Sequence, residues 1–437
     1  MNEPVDAAVV GAGAAGLMAA IQAGRAARRA GISPRIVILE RARRIGAKIL
    51  VAGGGRCNVT HATVDETAFA GSSPHAIRRV LLRFDVPETT EFFRELGVEL
   101  KCEETGKLFP VTDQARTVLD ALLRAARDAG VEIRHPWPVA AIEMTDEGFL
   151  LRRRESLAGR GEPEGREGDG SADVEGGTAT LSARRVILAT GGKSLPKSGS
   201  DGLGYGLAQS LGHTITPHLL PALVPLTLPR EHFLCSLRGV SFPATVELRS
   251  GTGKRRRRFT GPVLCAHFGL TGPTILDMSR HYLYALLDDP EARIHLNVLP
   301  GECADVLDQA LRTLGSSTPI SYLRRHLPER LAQVLIGTAG LQPGQSGARI
   351  GREERRRLVR TLTELCLPIT GSRGFTFAEA TAGGVPLSEL RLETMESRAC
   401  PGLFLCGEIC DVDGRIGGYN FQWAWASGAV VGTSMFP

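Results

Sequence analysis

The stretch VVGAGAAG at residues 9–16 decides the fold class of this 437-residue chain. The run DAAVV at 6–10 predicts a buried strand, and a helical pattern follows the glycines. Gly11 permits a tight turn, Gly13 lets backbone approach a pyrophosphate, and Gly16 lets the helix pack closely on the sheet. The helix N-terminus then offers free N–H groups to the phosphates. The stretch therefore predicts a dinucleotide-binding strand–turn–helix unit.

The second predicted strand, RIVILE, ends in an acid that discriminates between dinucleotides. Glu40 lies 24 positions after Gly16. A carboxylate at this place accepts hydrogen bonds from a ribose 2′-OH and repels a 2′-phosphate. The site therefore suits FAD or NAD better than NADP.

Two later pieces extend this site. VILATGG at 186–192 ends a buried strand in glycines that allow close backbone approach. GLFLCGE at 402–408 ends in Glu408, which can meet ribityl or pyrophosphate groups. GGYN at 417–420 opens the last helix, whose N-terminus would stabilise the negative charge of a reduced flavin. Three pieces from both ends of the chain predict one domain that binds a long dinucleotide, namely FAD.

The middle of the chain has a different character. Short apolar runs bounded by Pro and Gly over 220–300 predict a β-rich module, and 302–366 is predicted to be helical, with breaks at Pro319, Pro328 and Gly351. The stretch 374–385 predicts a further strand. The stretch 155–178, rich in Gly, Glu and Arg, is interpreted as a mobile hairpin loop.

Six segments spread over nearly the whole chain carry a recognisable pattern. They are GAKILVAGGGRCNVTH (46–61), ATGGKSLPKSGSDGLGY (189–205), HFGLTGPTIL (267–276), EATAGGV (379–385), TMESR (394–398) and CGEICDVDGRIGGYNFQWAWASG (406–428). In these segments the chain resembles the bacterial NAD(P)/FAD-dependent oxidoreductases often labelled aminoacetone oxidase-like, which are related to reductases of 3-oxo-Δ4 bile acids. The resemblance implies an α/β fold in which a Rossmann-type FAD-binding domain, formed from both termini, carries an inserted β-barrel and a small helical domain.

The implied domain boundaries follow the change of character along the chain. They are 1–194 and 389–437 for the FAD-binding domain, 195–300 and 371–388 for the β-barrel, and 301–370 for the helical subdomain. We expect the inserted module to cover the flavin face, with HFGLTGP and EATAGGV lining the cleft or its hinge.

We predict that residues of the glycine-rich and acidic motifs hold FAD. The predicted set is Gly11, Gly13, Ala14, Ala15, Gly16, Glu40, Arg41, Lys48, Gly54, Gly55, Arg56, Cys57, Asn58, Val139, Ala189, Thr190, Gly191, Gly192, Gly407, Glu408, Gly417, Gly418, Tyr419 and Asn420. The sequence holds no second strand–turn–helix unit for a nicotinamide. NADH or NADPH is therefore expected to visit the site transiently as electron donor, and no metal is predicted.

Tyr419 and His267 are the candidate proton donors. A Tyr in the turn beside a flavin could protonate an acceptor as hydride arrives, although a structural role is equally compatible with the sequence. Most lone histidines such as His267 form local hydrogen bonds and have no catalytic role. Cys57 stands where flavin disulfide reductases carry a cysteine pair, but it lacks a resolving thiol. Packing beside the cofactor is therefore favoured over thiol catalysis.

Composition limits the cellular setting and the partners. The nine cysteines form no C-x-x-C pair, and no basic leader precedes the first strand, so a reducing cytoplasm is expected. No apolar run of membrane-spanning length stands out. A small-molecule substrate is the expected partner, and the sequence leaves the oligomeric state open.

Three functions are compatible with these features. The leading hypothesis is NAD(P)H-linked reduction of an organic acceptor such as an enone. An FAD amine oxidase would need an aromatic pocket, for which Phe421, Trp423 and Trp425 are candidates, although Trp423 and Trp425 should lie on different helix faces. A nucleic-acid-associated flavoprotein would rest on KRRRR at 254–258 and a net charge of +5. An exposed, solvated hairpin is the favoured interpretation of that run, so nucleic-acid contact is disfavoured.

Overall fold

The computed structural model describes residues 3–154 and 179–436. The chain divides into two compact units: unit 1 comprises Met1–Leu219 and Ala382–Pro437, and unit 2 comprises Leu220–Thr381. The predicted mobile loop at 155–178 lies outside the described residues.

Strands occur in the described residues of both units, and the two longest, Ser241–Arg249 and Arg255–Ala266, lie in unit 2. In chain order they are β1 (Ala7–Val10), β2 (Ile36–Leu39), β3 (Thr60–His61), β4 (Phe69–Gly71), β5 (Leu100–Cys102), β6 (Lys107–Pro110), β7 (Val131–Arg134), β8 (Val139–Thr145), β9 (Gly148–Arg153), β10 (Thr180–Ala183), β11 (Val186–Leu188), β12 (Leu220–Ala222), β13 (Leu226–Thr227), β14 (Ser241–Arg249), β15 (Arg255–Ala266), β16 (Gly269–Thr271), β17 (Arg293–Asn297), β18 (Leu365–Leu367), β19 (Gly371–Ser372), β20 (Ala380–Ala382), β21 (Leu390–Arg391), β22 (Glu396–Ser397), β23 (Leu403–Leu405) and β24 (Val412–Gly414).

The helices include one near each end of the chain. In chain order they are α1 (Ala14–Arg29), α2 (Ala47–Gly55), α3 (Pro74–Leu81), α4 (Val86–Glu95), α5 (Ala115–Asp128), α6 (Leu203–Ser210), α7 (Phe233–Ser236), α8 (Pro273–Asp288), α9 (Ala304–Arg312), α10 (Pro319–Leu323), α11 (Glu329–Thr338), α12 (Arg352–Thr363) and α13 (Tyr419–Met435). Within the described ranges, no helix has both the length and the apolar character needed to cross a membrane.

Unit 1 is built on a seven-stranded sheet in the order β21-β22-β23-β11-β1-β2-β7. The five strands from β23 to β7 run parallel, and β21 and β22 pair antiparallel at the other edge. β1 and β2 are wholly apolar and wholly buried, as expected for parallel strands covered on both faces. The Rossmann-type domain formed from both termini is thereby confirmed.

Helices α1 and α13 pack together through glycines. A Cβ atom added at Gly428 would lie 2.6 Å from the carbonyl oxygen of Ala15, and one added at Gly432 would lie 2.4 Å from that of Ala19. Only glycine allows the two backbones to come this close. The N-terminal and C-terminal parts of unit 1 are joined at this contact.

Unit 2 carries a seven-stranded antiparallel sheet in the order β18-β17-β14-β15-β16-β13-β19. Its hydrophobic core combines side chains of the sheet with side chains of α8 to α12. The predicted helix breaks are confirmed: α10 begins at Pro319, and Pro328 and Gly351 are the N-cap residues of α11 and α12.

The secondary structure of unit 2 differs from the prediction in two places. The segment 220–300, predicted as β-rich, contains the 16-residue helix α8, whose buried residues include Ile275, Met278 and Tyr282 at helical spacing. The short apolar runs concealed this periodicity. In the segment 374–385, the regular strand is limited to Ala380–Ala382.

The boundaries of the units also differ from the sequence-based ones. The first division falls after Leu219 rather than after residue 194. The reason is that α6 buries Tyr205, Leu207 and Ala208 in the core of unit 1. The second division precedes Ala382, and Leu387 and Leu390 are likewise buried in that core.

We predict that Gly428→Ala lowers the midpoint of thermal or urea unfolding. The added methyl group must displace the backbone of α1, and overpacking of this kind costs about 1–3 kcal/mol. Gly206→Ala is the matched control, because a Cβ at this exposed position in α6 meets nothing within 4 Å and removal of a helical glycine stabilises by about 0.5–1 kcal/mol. Equal midpoints for the two variants would contradict the tight helix contact.

Candidate cofactor site in unit 1

Four sequence motifs meet at one edge of the parallel sheet. Gly11, Glu40, Ala189 and Cys406 each follow directly after the last residue of β1, β2, β11 and β23, respectively. The strand order reverses at β1, because β2 lies on one side and β11 on the other. Open α/β sheets bind ligands at the carboxyl ends of strands at such a switch point.

The three fingerprint glycines have different surroundings. Gly11 has a φ of +109°, and a Cβ there would lie 2.5 Å from the carbonyl oxygen of Ala189; a Cβ at Gly16 would lie 2.0 Å from the carbonyl oxygen of Gly11. In contrast, a Cβ at Gly13 would meet nothing within 4 Å. Gly11 and Gly16 are therefore required by packing, whereas the space at Gly13 is open for a ligand. Gly13 is also the N-cap of α1 and provides no side-chain cap.

Glu40 is tied to the fingerprint loop. Its Oε2 accepts a hydrogen bond from the backbone N–H of Ala12 at 2.7 Å, and its Oε1 accepts one from Ala42 at 2.6 Å. An ionised carboxylate has about four acceptor sites, so two acceptor sites are left for the predicted ribose contact. Glu40 therefore shapes the loop as well as offering acceptors to a ligand.

A polar cluster joins three of the motifs. Lys48 Nζ donates to Ser194 Oγ at 2.7 Å, to Ser200 Oγ at 3.3 Å and to Glu408 Oε2 at 2.5 Å. Ser194 Oγ donates to Glu408 Oε1 at 2.7 Å. Lys48 and Glu408 belonged to the predicted set, whereas the two serines were missed. Only their place within the resemblance segment 189–205 could have indicated them.

Asn58 Oδ1 and the hydroxyl of Tyr205, both in motifs of this site, are among the buried polar atoms that have no hydrogen-bond partner in the described part of the chain. Burial, together with the nearby charge of Glu408, raises the pKa of Tyr205 well above its usual value, so the hydroxyl remains a neutral donor. Leaving such a group without a partner costs about 1–3 kcal/mol. The sequence analysis missed Tyr205. The residue could have been recognised as a lone polar side chain in the otherwise apolar stretch GLGYGLA.

The C-terminal end of α2 leaves helical geometry in an exposed glycine turn. Gly53, Gly54 and Gly55 have φ values of +58°, +69° and +88°, and a Cβ at Gly54 would meet nothing within 4 Å. Arg56 beside it lies 3.9 Å above the ring of Phe109 and pairs with Glu103 at 2.6 Å. Its guanidinium is thus partly engaged by protein groups, and its contact with FAD stays a prediction.

Cys57 is fully buried. Burial raises the pKa of its thiol to about 12, so the thiol is neutral at physiological pH. A neutral thiol is a poor nucleophile. This environment supports the packing role that the sequence analysis favoured.

The turn before α13 holds Tyr419 against His61. Gly418 is the N-cap of α13 with a φ of +95°, and a Cβ there would lie 2.6 Å from the carbonyl oxygen of Thr60. The rings of Tyr419 and His61 stack with centroids 4.9 Å apart and an interplanar angle of 20°. The side-chain amide of Asn420 accepts from Gly414 N at 2.8 Å and donates to Gly414 O at 3.0 Å, and its predicted contact with FAD stays a prediction. Asn420 therefore supports the backbone of β24.

Three further predicted residues are Arg41, Val139 and His267. Arg41 pairs with Asp201, and Val139 is the first residue of β8. His267 lies in unit 2, exposed in the turn between β15 and β16, with its ring edge-on to Phe268 at 5.1 Å. Nothing in its surroundings marks it as a catalytic group. Among the described residues, no cluster of His, Cys, Asp and Glu could hold a metal ion.

The tryptophans of α13 belong to the core. Trp423 and Trp425 are 1% and 0% exposed. Their Nε1–H groups donate to the carbonyl oxygens of Gly407 at 3.0 Å and Val59 at 2.9 Å. The expectation that they do not wall a substrate pocket together is thus confirmed.

These observations fit FAD. The open space at Gly13, the uncapped N-terminus of α1, the acid after β2 and the orphaned hydroxyl of Tyr205 suit the phosphates and hydroxyls of a dinucleotide. The fold and the site define a Rossmann-type FAD-dependent oxidoreductase. The chain matches the model of the HI0933-like protein Rossmann domain over residues 5–161 and 163–434, and it belongs to this family.

Two relatives of known name align with almost the entire chain. The chain is 34% identical over 428 residues to a 3-dehydro-bile acid delta(4,6)-reductase of Clostridium scindens, with 97% of each chain covered. It is 31% identical to a ribosomal RNA dihydrouridine synthase of Escherichia coli, with 97% of this chain and 96% of that protein covered. A solved 3-ketosteroid delta1-dehydrogenase from Sterolibacterium denitrificans has a TM-score of 0.51 at 12% identity, with 99% of each chain covered, and shows the likeness of fold.

We predict that Gly13→Val yields a folded protein that does not retain FAD. The side chain would occupy the space open to the pyrophosphate, and its Cβ would meet no protein atom within 4 Å, so the main folding cost is that of a poorer N-cap, about 1 kcal/mol. Flavin absorbance after purification and circular dichroism measure the two effects separately. Gly16→Ala is the counterpart, because its methyl group meets backbone and should lower stability itself. Retention of FAD by Gly13→Val would show that the fingerprint is not the phosphate site.

Proposed function

We propose that this protein reduces a carbon–carbon double bond conjugated to a carbonyl group, using FAD and NADH or NADPH. The observation that carries the proposal is the chemistry shared by two relatives above 30% identity. One is named a delta(4,6)-reductase of 3-dehydro-bile acids and the other a dihydrouridine synthase. A double bond next to a ring ketone and the 5,6 double bond of uracil are both conjugated to a carbonyl group.

Different residues of unit 1 would hold different parts of the cofactor. Gly11, Gly13 and the N-terminus of α1 receive the pyrophosphate, and Glu40 receives the ribose. The Lys48 and Glu408 pair together with the Tyr205 hydroxyl offers donors and acceptors for the middle of the molecule. When bound, FAD supplies two-electron hydride chemistry.

Reduction of a double bond adds one hydride and one proton, and the proton needs a source. Tyr419 is the proposed donor, because its hydroxyl belongs to a half-buried ring at the N-terminus of α13. His61 holds that ring by stacking. His61 itself is fixed, since its Nε2 lies 3.0 Å from the carbonyl oxygen of Thr105 and its Nδ1 lies 3.0 Å from the carbonyl oxygen of Thr63.

The amine-oxidase alternative receives less support. It needs an aromatic-walled pocket for a neutral amine, and Trp423 and Trp425 are sealed in the core of unit 1. The neutral, buried Cys57 likewise gives no support to disulfide chemistry.

We predict that anaerobic NADH or NADPH bleaches the flavin absorbance of the purified protein and that a conjugated acceptor restores it. The acceptors to compare are a 3-oxo-Δ4 steroid, a uridine-containing RNA and a saturated ketone as control. Bleaching by an amine instead of a nicotinamide would favour the oxidase. Reoxidation by oxygen alone, with every conjugated acceptor inert, would contradict the proposal.

We predict that Tyr419→Phe slows acceptor reduction by about 10²–10⁴-fold, the usual contribution of a positioned proton donor. Bleaching by NADH should be unaffected, because that step does not use the proton. Stopped-flow absorbance separates the two half-reactions. Tyr322→Phe, a half-buried tyrosine of unit 2, serves as control. Equal slowing of both half-reactions would indicate that Tyr419 only positions the cofactor.

A further inference from the structure

Arg373 in unit 2 carries a positive charge whose hydrogen-bond donors are unused. The Cζ atom of its guanidinium lies 3.5 Å above the ring of Phe377 and 4.5 Å above the ring of Phe268. Among the residues that the structure describes, this guanidinium has no ion-pair partner and no hydrogen-bond acceptor. A guanidinium has five N–H donors and accepts no hydrogen bond. All its polar contacts are therefore left for water or for a ligand.

Arg56 of unit 1 shows a contrasting arrangement. Its Cζ lies 3.9 Å above the ring of Phe109, and its guanidinium also pairs with Glu103 at 2.6 Å. Arg373 has a second ring in place of the carboxylate. The rings thus hold the charged group of Arg373, and the described part of the chain supplies no anion for it.

The backbone around the guanidinium is fixed by β13, which lies between β16 and β19 in the sheet. Arg373 directly follows β19, and its N–H donates to the carbonyl oxygen of Pro225 at 3.0 Å. Phe268 lies in the turn between β15 and β16, and its carbonyl oxygen accepts from the N–H of Leu228 at 3.0 Å. Pro225 and Leu228 flank β13, so one strand holds both the arginine and the first ring.

A glycine turn brings the second ring to the arginine. Gly374 has a φ of +68°, and the N–H of Phe377 donates to its carbonyl oxygen at 3.1 Å. Phe377 is 45% exposed although it contacts the guanidinium. A Cβ at Gly374 would meet nothing within 4 Å. Exposed aromatic surface and open space therefore lie close to the unused donors.

These two features together select a class of ligand. Guanidinium N–H groups bind the oxygens of carboxylates and phosphates in pairs, and a guanidinium that stacks on a ring keeps its edge free for such a contact. An exposed phenylalanine offers apolar surface to a flat ring. A neutral ligand would leave the charge without a partner, and a small inorganic anion would leave the aromatic surface in water.

We propose that Arg373, Phe268 and Phe377 form a binding site for an oxyanion carried by a flat, ring-containing ligand, and we call it the arginine–phenylalanine site. Two ligands of the proposed reaction have this chemistry: a conjugated acceptor that carries a carboxylate, and NADPH, whose 2′-phosphate lies beside its adenine. The assignment of the site to the reaction rests on the proposed function. The oxyanion site itself rests on the geometry of unit 2.

The direct test is binding of 2-naphthoate to the FAD-loaded protein, measured by isothermal titration calorimetry. Binding should be saturable, and the neutral 2-naphthamide should bind at least about tenfold more weakly, the effect of losing one hydrogen bond between charged groups. Arg373→Gln should raise the Kd for naphthoate by a similar factor. Arg373→Lys keeps the charge but loses the fork, so its Kd should be intermediate. Phe377→Leu should raise the Kd several-fold, because it removes the flat surface.

Arg257→Gln is the matched control, because Arg257 is an exposed arginine of the same unit with no ion-pair partner among the described residues. Its Kd for naphthoate should equal that of the unaltered protein. Thermal unfolding midpoints and flavin content check that each variant is folded and loaded. Unaltered binding by Arg373→Gln, equal losses in both arginine variants, or equal affinities for naphthoate and its amide would each overturn the site.

Stopped-flow absorbance on Arg373→Gln then identifies the ligand. If the ligand is NADPH, the NADPH concentration that gives half the maximal bleaching rate should rise about tenfold, with no change for NADH. If the ligand is the acceptor, the half-maximal concentration of para-carboxybenzylideneacetone should rise, with no change for its methyl ester. Neither change, despite lost naphthoate binding, would overturn the part of the site in the reaction.

A different result would contradict the proposed function. If neither nicotinamide bleaches the flavin and no conjugated acceptor restores it, the proposed function is overturned. Binding of naphthoate that depends on Arg373 would still support the arginine–phenylalanine site. Normal turnover by a protein that does not bind naphthoate would instead overturn the site and leave the proposed function standing.

Discussion

Unit 1 depends on the approach of backbone to backbone without intervening side chains. The turn after β1 and the first turn of α1 touch at Gly11 and Gly16, where a Cβ would lie 2.0 Å from a carbonyl oxygen. Further along α1, Gly428 and Gly432 bring α13 onto the same helix. These contacts hold a turn near residue 11 and a helix near residue 428 in one arrangement. The two ends of the chain can therefore form one site.

The polar groups of the site follow from that arrangement. Lys48 and Glu408 are far apart in sequence, and they pair because β2 and β23 end at the same edge of the sheet. One carboxylate oxygen of Glu40 accepts a hydrogen bond from the fingerprint loop. Tyr205 retains an unused hydroxyl at a cost that a bound cofactor can offset. The polar groups of the site are thus arranged to bind a ligand as well as to stabilise the fold.

Local sequence patterns predict many features of the fold and of the site. Features that depend on packing between residues distant in sequence could not be predicted. The fingerprint, the acid after β2 and the glycines before α13 are local features with a direct physical meaning, so their positions could be predicted from sequence. Helix α8 was missed because its apolar residues also form short runs typical of strands. Ser194 and Tyr205 were missed because their importance comes from partners distant in sequence. Sequence alone also did not show that the side chains of Asn420 and Arg56 bond to Gly414 and Glu103, and their contacts with FAD stay predictions.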